Sequence, residues 1–493
     1  MKVVACTWML LSMCLLGHCL LVYGEDNEAQ VLDDFLNSRL SEKPSPVIRF
    51  SARFDVNTDS IQPQDGSMET DKISALPGQP DGVDFNHYSG YVTVDSEAGR
   101  ALFYYFAESP ENSSTNPLVL WFNGGPACSS LVGAMAELGP FRVNSDGKTL
   151  FRNNYAWNNV ANVIFVESPA GVGFSYSNTT SDYQSMGDKS TAKDAYTFII
   201  NWLERFPQYK TRDLYVAGET YGGHYVPQVA KIILHKNKKS NQTLINLKGI
   251  AVGNGVIDDR TALLGRYDYF WTHALNSDET NKGIHTYCHY FDDRDPEQCA
   301  NFIIKSSTER GHIDEYNIYT PRCQLNSSSS IKISSDSTNF DPCSNHYMLS
   351  YLNRAAVQTA LHAKASAWEI CKYDLASVGW TDTAVTSLPI IKNLMSNGIR
   401  ILLYSGDLDS TCPVTSTRYA INKLKLHIKS AWRPWSTDKE VGGYVVEYDG
   451  LTFVTVRGAG RLVPSYQPAR ALTMISSFLE GALPPPFLIQ NNS

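Results

Sequence analysis

The sequence predicts an α/β fold in which helices cover a mostly parallel sheet. The first observation is a set of short, mostly apolar segments of strand length, at residues 118–122, 160–166, 214–217 and 401–404. Such runs are typical of strands that are buried on both faces of a sheet. The second observation is a helix-like segment, 192–206, between two of these runs. The chain has 493 residues, 43% of them hydrophobic and 19% charged, which is sufficient for a large globular core.

The N-terminus predicts a secretory leader. An apolar run, residues 3–22, follows Lys2 and stops before the acidic pair Glu25-Asp26. This pattern is typical of a signal peptide, here residues 1–24, and a membrane anchor is the alternative interpretation. No later segment of the sequence is long and apolar enough to span a bilayer. The formal net charge of -8 argues against nucleic acid as a partner.

The polar segment 25–70 has mixed charge, contains three prolines and lacks a sustained apolar period. This composition favours a propeptide or a flexible arm over a part of the core. The main domain is therefore predicted to begin at about residue 71. Near its start, the alternating segment 88–94 predicts a strand, with 101–106 as its hairpin partner.

The segment 218–222, Gly-Glu-Thr-Tyr-Gly, lies between the apolar run 214–217 and a helix-like segment, 225–234. A strand, a tight turn flanked by glycines and a helix form a nucleophile elbow, which presents one side chain at the top of an α/β-hydrolase sheet. The elbow therefore predicts the α/β-hydrolase fold and marks Thr220 as the presented residue. Serine is the residue expected at this position, so the sequence raises the question of whether the site is catalytic.

An insertion is predicted in the second half of the domain, at about residues 256–385. The alternation of strands and helices is lost there, and six of the seven cysteines outside the leader lie beyond residue 255. This composition indicates a cap that is inserted into the sheet domain and held by disulfides. Within it, residues 326–337 are serine-rich, which predicts an exposed loop that is open to proteolytic nicking.

The sheet is predicted to resume after the cap. The apolar run 401–404 leads into the loop 405–409. A last strand at 452–456 leads into a second loop, 457–464, and a closing helix at 468–479 packs its apolar stripe on the sheet.

Four separated motifs carry a resemblance to a known family. They are Asn-Gly-Gly-Pro at 123–126, Gly-Glu-Thr-Tyr at 218–221, Gly-Asp-Leu-Asp at 406–409 and Gly-Ala-Gly-Arg at 458–461. In this order they resemble the serine carboxypeptidase family, the secreted and vacuolar acid peptidases of the α/β-hydrolase fold, and in particular its plant members. The resemblance extends over about residues 71–485 and implies a relationship to enzymes that release C-terminal residues from peptides.

The resemblance implies catalytic positions in the order nucleophile, acid and base. Thr220 stands at the nucleophile's position, Asp409 at the acid's, and Arg461 where the family has histidine. Threonine keeps a hydroxyl, but a β-branched residue tolerates the strained backbone of an elbow poorly. Arginine stays protonated and has no acceptor, so it cannot take a proton from the nucleophile. We therefore expect hydrolysis to be lost or strongly impaired.

A replacement base is the next question. No histidine follows His427, so the loop after the last strand cannot supply one. His224 is four residues from Thr220 and is a conceivable base, but its place in the following helix favours a structural role. We expect Arg461 to fill the space of the missing imidazole and to form a bidentate ion pair with Asp409.

The resemblance also implies a site for the free carboxylate of a peptide or acyl ligand. The residues expected to hold that carboxylate are Asn123, Gly124, Glu137 and Glu219, and the backbone N–H groups of Gly125 and Tyr221 are expected to form the oxyanion hole. Two carboxyl side chains can face a ligand carboxylate only if protons are shared, so binding is expected to favour acidic conditions. The alternative is that these residues are retained only as structure.

Seven cysteines remain without the leader, so at least one is unpaired if the others form bridges. The resemblance implies the pairs Cys128–Cys371, Cys288–Cys299 and Cys323–Cys343. Cys412 then remains as a free thiol near the pocket, and we expect it to react with thiol reagents. Ala127, beside the first of these cysteines, stands where the family usually has glycine, and if this position needs a positive φ, the loop is expected to have shifted.

Export is also supported by sequons, although each match is weak by itself: Asn112, Asn178, Asn241, Asn326 and Asn491. His285, Cys288 and His289 have the spacing of a metal site, but a disulfide for the cysteine and surface positions for the histidines are favoured. We expect no metal and no cofactor.

These expectations combine into one preferred hypothesis and two alternatives. The preferred hypothesis is a secreted or vacuolar protein that has lost triad hydrolysis and binds a peptide or acyl ligand with a free carboxylate. The first alternative is a weak carboxypeptidase or acyltransferase that uses Thr220. The second is a structural or interaction protein with no ligand in the pocket. A homodimer is compatible with the sequence.

Overall fold

The structure is a computed structural model that describes residues 30–36, 61–240, 244–288, 295–324, 340–377 and 380–487. The strands in these residues are β1 (His87–Asp95), β2 (Arg100–Ala107), β3 (Leu118–Phe122), β4 (Phe141–Val143), β5 (Leu150–Arg152), β6 (Asn162–Val166), β7 (Asp213–Glu219), β8 (Asn246–Gly253), β9 (Arg400–Gly406), β10 (Ile428–Thr437), β11 (Glu440–Tyr448) and β12 (Leu451–Val456). Ten of them form one sheet in the order β1-β2-β6-β3-β7-β8-β9-β12-β11-β10, and β4 pairs with β5.

The centre of the large sheet is parallel. Its parallel pairs run from β6 through β3, β7, β8 and β9 to β12. The outer strands β1 and β2 at one edge, and β11 and β10 at the other, are antiparallel to their neighbours. All five residues of β3 are buried, as the apolar run predicts. The mostly parallel sheet confirms the predicted fold class.

Helices flank this sheet. They are α1 (residues 30–36), α2 (Met68–Asp71), α3 (Asp188–Arg205), α4 (Gly222–Ser240), α5 (Asp259–Thr272), α6 (Asp278–Tyr287), α7 (Pro296–Arg310), α8 (Ser344–Leu352), α9 (Ala355–Ala360), α10 (Tyr373–Ser377), α11 (Leu388–Ser396), α12 (Val414–Leu424), α13 (Val463–Tyr466) and α14 (Pro468–Leu479). The sequence predicted α3, α14 and most of α4. None of the helices described has both the length and the apolar character needed to cross a bilayer.

The insertion between β8 and β9 is helical in its described residues, which add no strand to the large sheet. Two disulfides lie within it, Cys288–Cys299 and Cys323–Cys343. A third, Cys128–Cys371, joins it to the loop after β3. The serine-rich segment 326–337 lies outside the described residues. The bounds of the cap, about 256–385, stay a prediction.

Sequence analysis assigned no strand to β8 or to the hairpin of β10 and β11. In β8, Lys248 and Gly249 interrupt the apolar run, so the pattern of a buried strand is weak. β10 is the edge strand of the sheet and contains Pro434, and most of its residues are partly or fully exposed. The sequence of such an edge strand shows no regular pattern of apolar residues, because few of its side chains face the core.

The N-terminal segment differs from a flexible arm in its described part. Four apolar side chains of α1 are buried and belong to the same hydrophobic core as the sheet: Val31, Leu32, Phe35 and Leu36. The sequence analysis missed this because the described helical residues, 30–36, give too short a periodic signal to be distinguished from the polar residues around them. The leader, residues 1–24, lies outside the described residues, and the propeptide interpretation stays a prediction.

Candidate active site

Thr220 lies at the sharp turn between β7 and α4. Its φ is 53°, a left-handed conformation that β-branched residues adopt only when the surrounding structure holds them. The Thr220 N–H donates to the carbonyl of Gly253 at 3.1 Å, and the Thr220 carbonyl accepts from Val256 at 2.8 Å. The elbow geometry is therefore present although the residue is threonine.

Arg461 lies in the loop after β12 and is 1% exposed. Its Nε donates a hydrogen bond to Oγ1 of Thr220 at 2.6 Å. The guanidinium carbon lies 4.5 Å from the centroid of the Tyr316 ring, within the range of a cation–π contact. The Thr220 hydroxyl therefore accepts a hydrogen bond from Arg461. A general base in this place would instead accept a hydrogen bond from the hydroxyl.

Asp409 is fully buried in the loop after β9. Its Oδ2 accepts from Asn254 Nδ2 at 2.8 Å and from the Cys412 N–H at 3.1 Å, and its Oδ1 accepts from the Thr411 N–H at 2.8 Å. Burial raises the pKa of Asp409 to about 6, against the opposing effects of the Arg461 charge and of these hydrogen bonds. Within the described structure, Arg461 acts on Asp409 through its charge and not through the expected bidentate contact.

Asn254 positions the acid, and sequence analysis did not single it out. It follows β8 directly and has a φ of 42°. Its amide donates to Asp409, and its Oδ1 accepts from the Gly406 N–H at 3.0 Å. The signal that could have found it is the Gly-Asn-Gly sequence at 253–255, directly before the predicted insertion.

Two residues of the insertion hold both loops of the site. The Tyr316 carbonyl accepts from the Arg461 N–H at 2.8 Å, and the neighbouring Glu315 carbonyl accepts from the Ser410 N–H at 3.0 Å. The insertion thus fixes the backbone beside both the acid and the arginine. No sequence motif marks these residues, because they act through main-chain carbonyls and an aromatic face.

The expected carboxylate-binding side chains meet below the elbow. Asn123 Nδ2 donates to Oε1 of Glu137 at 2.9 Å and to Oε1 of Glu219 at 2.8 Å. The Asn123 Oδ1 accepts from Trp121 Nε1 at 2.7 Å and from the Gly133 N–H at 3.1 Å. All three polar side chains are buried, and a π-helical turn, Gly133–Glu137, brings Glu137 to the others.

The loop after β3 lies directly against the elbow. A Cβ on Gly124 would lie 2.5 Å from the backbone nitrogen of Tyr221, so only glycine permits this approach. Gly125 follows with a φ of 105°. Ala127 has a φ of 66°, so this alanine adopts the positive φ considered above, and its N–H donates to the Tyr225 hydroxyl at 3.2 Å.

His224 is completely buried between two aspartates. Its Nδ1 lies 3.6 Å from Asp188 Oδ2, and its Nε2 lies 3.5 Å from Asp259 Oδ1. Burial lowers the pKa of His224, but the two facing aspartates outweigh this effect and raise it to about 9. The ring stacks on Tyr221 at a centroid distance of 4.8 Å. An imidazolium cannot accept a proton, so these contacts support the structural interpretation.

The cysteines pair as the resemblance implies, and Cys412 is the free cysteine among the described residues. Its side chain is buried, and burial together with the charge of Asp409 raises the pKa of the thiol. The structure therefore contradicts the expectation of a reactive Cys412. A cysteine count identifies an unpaired thiol but carries no information about its depth.

The sequons and the histidine cluster give a mixed result. Asn112 and Asn178 are exposed, while Asn241, Asn326 and Asn491 lie outside the described residues, as does His289. His285 Nε2 lies 2.6 Å from Asp268 Oδ1. In the described ranges, no group of histidine, cysteine and acidic side chains is arranged to hold a metal ion.

The comparisons with known proteins agree on one family. Residues 77–481 match the model of the serine carboxypeptidase family. The chain is 52% identical over 428 residues to serine carboxypeptidase-like 40 of Arabidopsis thaliana, with 84% of each chain covered. It is 48% identical over 433 residues to serine carboxypeptidase 24 of the same plant, with 84% of this chain and 93% of that one covered.

A solved structure agrees in fold. Kex1(delta)p, a prohormone-processing carboxypeptidase from Saccharomyces cerevisiae, superposes with a TM-score of 0.71 at 24% identity, with 84% of this chain and 96% of that one covered. At this identity the similarity concerns the fold alone. Because the family model matches most of the chain and close relatives match at about half of the aligned residues, this chain belongs to the serine carboxypeptidase family.

Proposed function

We propose that this protein binds the free carboxylate of peptides and has lost hydrolysis by the triad. The observation that carries the proposal is the hydrogen bond of 2.6 Å from Arg461 Nε to the Thr220 hydroxyl. In a serine hydrolase, an imidazole takes the proton of the attacking hydroxyl. A guanidinium donates hydrogen bonds and has no acceptor atom. Arg461 therefore donates to the Thr220 hydroxyl and cannot take its proton.

The alternative is a weak carboxypeptidase or acyltransferase that uses Thr220. It is supported by the retained hydroxyl at an elbow and by the retained Asp409. Loss of the base alone, however, costs a triad about a millionfold in turnover. Slow acyl transfer is therefore not the preferred function. The test below is designed to detect it.

The binding proposal rests on the cluster of Asn123, Glu137 and Glu219. The Asn123 amide nitrogen donates to both glutamates, so two carboxyl groups lie side by side in one buried polar cluster. A ligand carboxylate can join them if it shares a proton with a glutamate, since two ionised carboxylates repel each other. The proposed ligand is thus the C-terminus of a peptide, bound more tightly in acidic conditions.

A place in the secretory pathway fits this proposal. It is supported by the N-terminal apolar run, the disulfides of the described structure and the exposed sequons at Asn112 and Asn178. Disulfides persist in oxidising compartments. We propose the vacuole or the cell exterior as the destination, and N-glycosylation and a homodimer stay predictions.

The test is calorimetry with an N-acylated dipeptide acid and, as a matched ligand, the corresponding dipeptide amide. We expect binding of the acid and not of the amide at about pH 5, with weakening towards pH 7. Glu219→Gln should bind the acid at both pH values, because an amide donates to a carboxylate without a shared proton. Glu204→Gln, a change of the same type at a surface residue, is the control and should behave as the parent.

Mass spectrometry of the calorimetry samples then separates binding from turnover. The proposal requires that the dipeptide acid stays intact. Release of its C-terminal residue, or transfer of its acyl group to an added alcohol, would favour the alternative. Equal heats for the acid and the amide would exclude the carboxylate site.

A further inference from the structure

Helix α1 contacts the elbow itself. The ring of Phe35 meets the ring of Tyr221 edge to face, with a centroid distance of 5.2 Å and an interplanar angle of 83°. Tyr221 is the residue whose backbone N–H is expected in the oxyanion hole. The sequence of α1 places apolar residues at 31, 32, 35 and 36 and acids at 33 and 34, so one face is apolar and the other acidic.

The acidic face is anchored at two distant points of the chain. Asp33 forms a bidentate pair with Arg266 of α5, in which the second contact, Nη2 to Oδ2, is 2.9 Å. Asp34 Oδ2 accepts from the Tyr373 hydroxyl of α10 at 2.9 Å. Arg266 belongs to the insertion, and Tyr373 follows the cysteine that is bonded to the oxyanion loop. The helix therefore contacts two separate helices of the insertion as well as the elbow itself.

The residues that contact the acidic face of α1 include positively charged side chains. Arg266 Nη2 also pairs with Glu315 Oε2 at 2.8 Å, and Arg310 pairs with the other oxygen of the same carboxylate at 2.5 Å. With Asp33 present, two guanidinium groups face two carboxylates. Without it, two nearly buried guanidinium groups would share one carboxylate, which is unfavourable at low exposure. Glu315 also holds the loop of Asp409 through its carbonyl, so this pair adjoins the site.

We propose that α1 is an intramolecular ligand that closes the site above Thr220, on a receptor surface suited to an acidic amphipathic helix. The proposal goes beyond the function proposed above, because it concerns access to the site and not its ligand. Phe35, on the apolar face of α1, contacts Tyr221, while Asp33 and Asp34 bind the helix to α5 and α10. Release of the segment would expose the elbow and leave a basic, apolar surface.

The first experiment measures hydrogen–deuterium exchange in the full chain and in two variants, Asp33→Asn and Phe35→Ala. We expect exchange about tenfold faster in the segments that contain Tyr221, Arg266 and Tyr373, with no change in β3, because only local opening is involved. Glu204→Gln is the control, since Glu204 is exposed and pairs with Lys210, away from the contacts of α1, and should leave every segment unchanged. The readout needs no peptide acid, so it is separate from the test of the proposed function.

The second experiment adds a synthetic peptide of residues 28–40 to the Phe35→Ala chain. Restored protection at Tyr221, and no restoration by the same peptide with alanine at position 35, would establish the surface as a receptor. Unchanged exchange in both variants, or a peptide without effect, would overturn the proposal. Faster exchange that extends to β3 would also overturn it, because the sheet would then need α1 to stay folded, and α1 would not be a removable ligand.

Discussion

Arg461 directs its Nε at the Thr220 hydroxyl across 2.6 Å, and both side chains are buried. The hydroxyl therefore acts as an acceptor towards the residue that the resemblance places at the family's histidine position. The same guanidinium lies over Tyr316 and exerts its charge on Asp409. These relationships lead to predictions about stability, thiol chemistry and the recovery of activity.

The first prediction concerns the charge of Arg461. Arg461→Met keeps most of the volume but removes the cation that lowers the pKa of Asp409, which burial already raises to about 6. The raised pKa means that ionised Asp409 costs stability as pH rises through 6, and without Arg461 this cost grows. We expect a loss of about 3–5 kcal/mol at about pH 8, measured by urea unfolding, and a smaller loss near pH 5, where Asp409 is protonated in both proteins.

The control for this prediction is Asp409→Asn in the Arg461→Met background. It removes the ionisable group, so the difference between the two pH values should disappear. If Arg461→Met destabilises the chain equally at both pH values, the coupling between Arg461 and Asp409 is not electrostatic.

The second prediction concerns Cys412. Because the thiol is buried and its pKa is raised, we expect no alkylation by iodoacetamide in the native, non-reduced protein. In urea without reductant, one label per chain should appear and map to Cys412, since the other cysteines of the described structure are in disulfides. Cys412→Ser should take up no label in either condition. Native labelling at Cys412 would mean that the loop after Asp409 opens in solution.

The sheet and the elbow could be predicted because their signals are local. The run 118–122 coincides with β3, and the elbow at Thr220 is marked by its flanking glycines. A buried strand is indicated by a run of consecutive apolar residues, and a tight turn by glycines close to each other in the sequence. The edge hairpin had no such signal.

The support of the site could not be predicted, since it depends on contacts between residues distant in sequence. Asn254 acts on Asp409, and Tyr316 acts on Arg461 from within the insertion. The direction of the guanidinium is also a tertiary property. The sequence predicts that arginine occupies the histidine's place, but not whether its Nε faces Thr220 or Asp409.

The third prediction uses the buried imidazole of His224. Its folded pKa of about 9 lies above the ordinary value of 6.5, so it contributes stability that is fully present below pH 6.5 and is lost as pH rises through 9. The difference corresponds to a contribution on the order of 3 kcal/mol. We expect His224→Gln to lower the free energy of unfolding more at about pH 6 than at about pH 9.5, as measured by urea unfolding.

His87 is the matched control for this prediction, because burial lowers its pKa to about 4. A buried histidine that stays neutral costs stability as pH falls below 6.5. His87→Gln should therefore lose less stability at acidic than at neutral pH, the opposite trend. If both variants follow the same pH trend, the pair of aspartates does not hold His224 as an imidazolium.

The last prediction concerns the recovery of activity, and it follows from the way triad members act as a unit. Thr220→Ser alone should do little, because Arg461 still donates to the hydroxyl at 2.6 Å. Arg461→His alone should do somewhat more, since threonine keeps its hydroxyl. In the double variant, the backbone N–H of residue 461 still donates to the Tyr316 carbonyl. The loop therefore keeps its position, and we expect the new imidazole to lie where the guanidinium lies in the natural chain. Asp409 would orient the ring.

We expect a fluorophosphonate probe to label the introduced serine of this double variant, with little or no label on the natural chain. Labelling should rise between about pH 5 and pH 8, because the new imidazole can accept the serine proton only when it is neutral, and a histidine has an ordinary pKa of about 6.5. Adding Asp409→Asn to the double variant should reduce the label strongly, and adding Ala127→Gly should not reduce it, since φ is 66° there and suits glycine. Strong labelling of the unaltered protein at Thr220 would overturn the proposed loss of hydrolysis in favour of a threonine-dependent enzyme, because another group would then have to accept the proton of the Thr220 hydroxyl.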